Sequence, residues 1–183
     1  MNLYIVRHGQ TDWNKEKRLQ GQCNIPLNEI GRNEARDVAN HLLTYKIERI
    51  ISSTLDRALE TAQIINQSLN VPLSTDQRLI ERSFGDYEGK TYDQEQIAYF
   101  WQVNDPSNNI EPLSDVFARV KDFLQSIQGQ EETTLVVCHG IIAAMIRIIL
   151  EELTQDYHTL TPHNCEVLSY KIDHWDKIKS RNF

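Results

Sequence analysis

Three short apolar runs in this chain each stop on a cluster suited to chemistry. Leu3-Tyr4-Ile5-Val6 stops on Arg7-His8-Gly9, and Ile47 to Ile51 stops on Ser52-Ser53, ahead of Arg57. Thr133 to Cys138 stops on His139-Gly140. Apolar runs of this length predict strands buried on both faces. Helical spacing fills the gaps between them, so the expected class is α/β: a three-layer α/β/α sandwich with a mainly parallel central sheet. Ligands of such sheets bind beyond the carboxyl ends of the strands. Taken alone, Arg7-His8 reads as a surface pair at a strand end. Three strand ends bringing two arginines and two histidines to one rim is hard to ascribe to chance.

The helices follow from spacing. After a long polar loop from Gln10 to about Asn28, Ala35, Val38, Ala39, Leu42 and Leu43 recur on one helical face. Ser53 is placed to cap a helix over Leu55–Leu69 with Ala58, Ala62, Ile65 and Leu69 inside. Leu113, Val116, Phe117, Val120, Leu124 and Ile127 mark a further helix that Gly129 ends. An apolar helix follows Gly140 to Leu150, and Glu166–Ile172 reads as a last strand. From about 76 to 112 the periodicity loosens into a lid-like excursion, rich in acids and aromatics, with a short helix expected near Asp93–Gln102. The whole of 1–183 is read as a single domain.

Charge and composition narrow the function. The 183 residues carry a net charge of −7 with 40% hydrophobic and 25% charged residues, as expected for a soluble globular protein and unfavourable for nucleic acid. The longest apolar run, Ile141–Leu150, is interrupted by Arg147 and too short to span a bilayer, so no membrane association is expected. No secretory leader is recognised. Cys23, Cys138 and Cys165 form no CxxC, which fits free thiols in a reducing cytoplasm. A homodimer is the assembly that exposed apolar surface around 92–112 would support.

Two arginines form rigid donor forks for an oxyanion, and a helix opening at His139-Gly140 adds backbone donors. The natural guest is phosphate. With Arg7 and Arg57 on its oxygens, neutral His8 is placed to attack phosphorus, and a protonated His139 to donate to a phosphoryl oxygen. The leaving oxygen needs a proton. Glu81, at the start of the aromatic excursion, is the candidate if burial raises its pKa; by itself it reads as another solvated loop acid.

Arg7-His8-Gly9-Gln10-Thr11-Asp12-Trp13-Asn14 closely resembles the signature of the histidine phosphatase superfamily, the phosphoglycerate mutase-like proteins. Leu19-Gln20-Gly21, Pro26 to Gly31, Ser52 to Ala62, Leu79 to Gly89 and Val136 to Gly140 resemble its later stretches in order and spacing. The resemblance implies His8 as phosphorylated nucleophile, with Arg7, Arg57 and His139 around the phosphate and Glu81 as acid and base. It adds Asn14, Gln20, Gly21 and Gly140 to the phosphate site, and Asn164 near it. No cofactor is implied; the partner is a small phosphate ester. Where many relatives carry a Gly-Glu-Ser-like turn, this chain reads Glu111-Pro112-Leu113-Ser114, so a substrate contact from that turn is not assumed. Residues 81–115 hold two basic residues, Arg82 and Lys90, against eight acidic ones, which favours hydrolysis of a monophosphate over mutase action.

Other signals are set aside. Gly85-Asp86-Tyr87-Glu88-Gly89-Lys90-Thr91 is one residue short of a P-loop and carries two acids, so it reads as a turn. No cysteine has an arginine six positions on, and no metal-ligand spacing occurs. His41, His158, His163 and His174 read as surface residues. Two alternatives to the phosphomonoesterase remain: a phosphomutase, and a non-catalytic module that senses a phosphorylated ligand.

Overall fold

The structure, a computed structural model, describes residues 1–93, 99–100, 108–153 and 159–172. Its strands are β1 (Asn2–Arg7), β2 (Arg49–Ser52), β3 (Leu73–Thr75), β4 (Thr134–Cys138) and β5 (Val167–Lys171). Its α-helices are α1 (Asp12–Lys15), α2 (Glu29–Leu42), α3 (Asp56–Leu69), α4 (Leu113–Ser126) and α5 (Gly140–Glu151). The strands form one sheet in the order β3-β2-β4-β1-β5, parallel except for β5.

Side chains alternate between two apolar clusters although nearly every position is buried. Leu3 and Ile5 of β1 join one cluster with α4 and α5, while Tyr4 and Val6 join the other with α2 and α3. Ile51, Val136 and Cys138 take the first side; Ile50, Leu135 and Val137 take the second. Helices therefore cover both faces, which is why the strands read as unbroken apolar runs and not as alternating ones.

Register brings the strand ends level. Arg7 lies opposite Cys138, and Ser52 opposite Val137. The ladder continues one step past each strand: His8 N donates to Cys138 O at 2.9 Å, and Ser53 N to Val137 O at 2.9 Å. The expected common rim is the carboxyl edge of β1, β2 and β4.

Two local expectations are corrected. Leu43 does not share the inner face of α2; it falls in a 3-10 turn over Leu43–Tyr45, is 54% exposed, and Lys46 at φ +50° closes that turn. Ser53 does not cap α3. The helix starts at Asp56, so the N-cap is Leu55, without a side-chain cap; Ser53 lies two residues earlier, its hydroxyl on His139 and on Leu55 N. The Gly85–Thr91 stretch is a turn, as expected: Gly85–Tyr87 is a 3-10 turn, and the Glu88 carboxylate accepts from neighbouring amides.

The aromatics of the excursion form a small core. Phe84 and Phe100 are buried and meet edge to face at 5.4 Å, with Tyr87 against Phe100 at 5.3 Å. The short helix expected near Asp93–Gln102 and its Trp101 lie mostly outside the described residues, as do His158, His174 and most of the surface invoked for a dimer; Tyr99 and Phe100 are helical. His41 and His163 are exposed, as expected. No helix among the described residues is long and apolar enough to cross a membrane.

Candidate active site

His8 leaves the end of β1 with its ring 2% exposed. Its Nδ1 lies 2.7 Å from Gly9 O. A carbonyl can only accept, so Nδ1 carries the hydrogen and Nε2 keeps its lone pair. Arg57 Nε donates to that lone pair at 3.3 Å. Burial first, then the Arg57 and Arg7 cations, pushes His8 well below the ordinary histidine range, so the ring is neutral.

Arg57 is fully buried at the start of α3, where Nη1 and Nη2 donate to Cys23 O at 2.8 Å and Gly21 O at 2.7 Å. Burial lowers its pKa to about 10, still a cation at neutral pH. Gly21 holds φ +49°, and a Cβ there would meet the Glu88 carboxylate at 2.0 Å, so glycine is required for this carbonyl to reach Arg57. Arg7 donates to Pro162 O at 2.8 Å, and its Nε is buried without a partner.

Glu81 sits on the loop after a 3-10 turn over Gln77–Leu79, only 8% exposed. Its Oε1 accepts from Arg82 N at 2.9 Å and its Oε2 from Ile141 N at 3.2 Å, in the first turn of α5. Burial raises its pKa; those amides and the two arginines oppose the shift without cancelling it. One amide expected to serve phosphate at the start of α5 thus serves the carboxylate instead.

His139 is fully buried, its ring 5.2 Å from that of His8. Nε2 lies 2.7 Å from Ser53 Oγ, and Nδ1 has no partner. Burial, then Arg57, His8, Arg7 and Arg119, push it well below the ordinary range. Burial and the neighbouring cations thus favour the neutral ring in the ligand-free site; the protonated donor expected of His139 belongs to the phosphate-bound state, whose anion opposes them.

Asn14 and Thr11 cap α1 reciprocally: Asn14 N donates to Thr11 Oγ1 and Thr11 N to Asn14 Oδ1, each at 3.1 Å. Gln20 Oε1 lies 2.9 Å from the Thr11 hydroxyl. Asn164 Nδ2 donates to His8 O at 2.8 Å, tying the distant loop to the site. At Gly140 a Cβ would sit 2.9 Å from Thr161 Cγ2 and 3.6 Å from the Arg7 guanidinium. A cavity of about 310 Å³ opens between these groups, lined by Arg7, His8, Asn14, Gln20, Gly21, Arg57, Glu81 and Gly140. His139 does not line it; Arg18, Leu19, Phe84, Tyr92 and Phe100 complete the outer wall.

Several groups around this site carried no distinct signal in the sequence. Thr61 Oγ1 accepts from Gly9 N at 3.1 Å and donates to Arg57 O at 2.7 Å, joining the His8 turn to α3. Arg82 offers substrate no charge: it is fully buried, with its guanidinium on Glu111 O and Phe100 O. The Glu111 carboxylate pairs with Arg119 at 2.8 and 3.0 Å and accepts from Ser83 N. Among the described residues no group of His, Cys, Asp and Glu is placed to hold a metal.

The sequence pattern of one known family matches this chain over residues 3–181. The chain belongs to the histidine phosphatase superfamily, branch 1. It is 33% identical to the uncharacterized phosphatase PhoE of Bacillus subtilis over 82% of this chain and 76% of that protein. It is 31% identical to the probable phosphoglycerate mutase GpmB of Salmonella choleraesuis over 96% of this chain and 87% of that one. The solved mycobacterial glucosyl-3-phosphoglycerate phosphatase with VO3 superposes with a TM-score of 0.81 at 27% identity, covering 92% and 91% of the two chains. Within this superfamily the five-stranded, mainly parallel sheet is the phosphoglycerate mutase-like fold of the solved relative.

Proposed function

We propose that this histidine phosphatase is a phosphomonoesterase that hydrolyses small phosphate esters through a phosphohistidine on His8, without a metal in the reaction. The observation that carries the reading is the state of His8: a neutral ring with Nδ1–H held by Gly9 O, so that Nε2 presents its lone pair beside Arg57. Arg7 and Arg57 neutralise the phosphoryl oxygens, with Asn14, Gln20, Gly21, His139 and Gly140 around them. His8 Nε2 bonds to phosphorus as the P–O ester bond breaks. Glu81, pushed by burial towards its protonated form, gives its proton to the leaving oxygen. The resulting carboxylate takes a proton from the water that attacks the phosphohistidine, releasing inorganic phosphate and restoring His8.

We treat 1–183 as one catalytic domain whose segment from about 76 to 112 covers the site. A reducing cytoplasm fits its three unpaired thiols. A mutase is the second reading, favoured by the likeness to the Salmonella protein. It requires room for a substrate's second anion, and the acidic excursion, with Arg82 engaged elsewhere, supplies little countercharge.

The test is phosphate release from aryl, sugar, nucleotide, α-ribazole and glycerate phosphates, with chelator present, for wild type and His8→Ala. Chelator-resistant release that disappears in the variant supports the phosphatase. Phosphate transfer between hydroxyls without release would establish the mutase, and binding without either reaction a sensing module.

A further inference from the structure

The hydroxyl of Ser53 occupies a place that neither the cap of α3 nor the phosphoryl chemistry accounts for. Ser53 and His139 are both fully buried, and Ser53 Oγ lies 2.7 Å from His139 Nε2. Ser53 is held rigidly. Its amide donates to Val137 O at 2.9 Å, its carbonyl accepts from Ser52 Oγ at 2.9 Å, and its own oxygen accepts from Leu55 N at 3.3 Å.

We propose that Ser53 is a positioning residue that selects the Nδ1–H tautomer of His139, so that this ring donates a hydrogen bond to the phosphoryl group. The phosphoryl ligand rests on the phosphatase reading above; the tautomer rests on the hydrogen-bond geometry around Ser53.

Two assignments of the protons are open to this pair. In one, the Ser53 hydroxyl donates to His139 Nε2, and the ring hydrogen sits on Nδ1. Every side-chain polar atom of this pair then has a partner among the described residues except Nδ1–H. In the other, Nε2–H donates to Ser53. The hydroxyl hydrogen then has no acceptor among the described residues, and Nδ1 becomes a bare lone pair, also without a partner. The first assignment leaves one buried polar group unpaired and the second leaves two. Each such group bears its desolvation cost in full, so the first is favoured.

The group left unpaired in the favoured assignment is a donor, the complement of an anionic oxygen. With His139 against the phosphoryl group, as the phosphatase reading has it, the opposite tautomer would set a lone pair against that oxygen. The charged and titratable groups that act on the ring are Arg57, His8, Arg7 and Arg119; burial first, and then these groups, hold the ligand-free ring neutral. A serine can both give and accept a hydrogen bond, which suits it to serve Leu55 and His139 at once.

The test is long-range proton–nitrogen NMR on 15N-histidine-labelled protein, ligand-free and with inorganic phosphate, for wild type, Ser53→Ala and Ser53→Thr. His139 in the wild type is expected to show a protonated Nδ1 and an unprotonated Nε2, with the Nδ1–H signal moving on addition of phosphate. Ser53→Ala should redistribute the ring towards Nε2–H and lower kcat for an aryl phosphate by about 10- to 100-fold, below the full loss of an oxyanion donor. Ser53→Thr should restore both. An Nε2–H ring in the wild type overturns the proposal, and so does a Ser53→Ala protein with unchanged tautomer and unchanged kcat. A wild type that hydrolyses no ester, yet keeps its Nδ1–H and moves that signal with phosphate, would overturn the phosphatase reading and uphold this one.

Discussion

Burial acts on His8 and Glu81 with opposite consequences for pKa and the same consequence for charge. The histidine is driven down and the carboxyl up, so each is driven towards its neutral form in one small cavity. A nucleophile needs the first and a proton donor needs the second. Glu81→Gln is therefore expected to slow alkyl phosphates by about 10²- to 10⁴-fold, the span of general acid catalysis, and aryl phosphates with good leaving groups by much less. Paired kcat/KM values for the two ester classes check this; equal slowing would remove Glu81 from the leaving-group step. The same substitution bears on stability. A carboxyl raised above its ordinary value of 4.5 favours the fold below that pH and loses the contribution as pH rises through its folded pKa. At pH 7 the glutamine variant should thus melt no lower than wild type, and any advantage should shrink towards pH 4 in melting curves. At this scale Arg7, His8 and His139 were legible because they stand where apolar strands stop, whereas Glu81 read by itself as a solvated loop acid and stood out only through the resemblance. Ser53 was visible only as a cap, since a serine before a helix reads the same whichever group its hydroxyl meets.

Two carboxylates fasten the segment bearing Glu81 to the rest of the site. Glu88 accepts from Gln22 N at 3.0 Å, Cys23 N at 3.2 Å and Phe84 N at 3.1 Å, joining the 20–23 turn to the 83–88 turn. The 20–23 turn holds Arg57 through two carbonyls, so Glu88 acts on His8 at two removes. Glu88→Ala should raise KM and lower kcat together by about tenfold, as misplacement of catalytic groups does, and steady-state kinetics will show whether both move. Arg119 braces the other side: it pairs with Glu111 and donates to Arg78 O and Ile80 O at 2.6 and 2.8 Å. Arg119→Ala should cost about 2 kcal/mol, typical of lost hydrogen bonds to charged groups, read as a shift in denaturation midpoint. A third contact is steric. A Cβ at Gly31 would lie 2.1 Å from Gln10 O, so the first turn of α2 rests on the backbone that follows His8. Gly31→Ala should cost about 1–3 kcal/mol by overpacking and lower activity with it. The helices were legible because burying one face imposes a period on sequence. These braces were not, because a carboxylate accepting backbone amides imposes none.

The whole molecule is an acidic body around a cationic pocket, with neutral histidines sealed in it. His8 and His139 sit well below 6.5, so the unfolded chain binds protons that the folded one refuses. Their contribution is fully present above about pH 6.5 and is lost as pH falls through their folded values. Denaturation series from pH 7.5 to 4.5 should show stability falling with acid, and His8→Asn should fall less steeply than wild type. The chain by itself determined the order of strands and helices, the α/β class and the histidine and arginine pairs, since strand burial, helical period and strand-end chemistry are all local in sequence. The tertiary structure alone decided which strand ends stand level, through the register of β1, β2 and β4. It also decided that Arg82 is a strut, that His139 is neutral and that Ser53 meets its ring. Burial, the field of neighbouring charges and the partner of a hydroxyl depend on groups far apart in the chain, so no local stretch of sequence carries them.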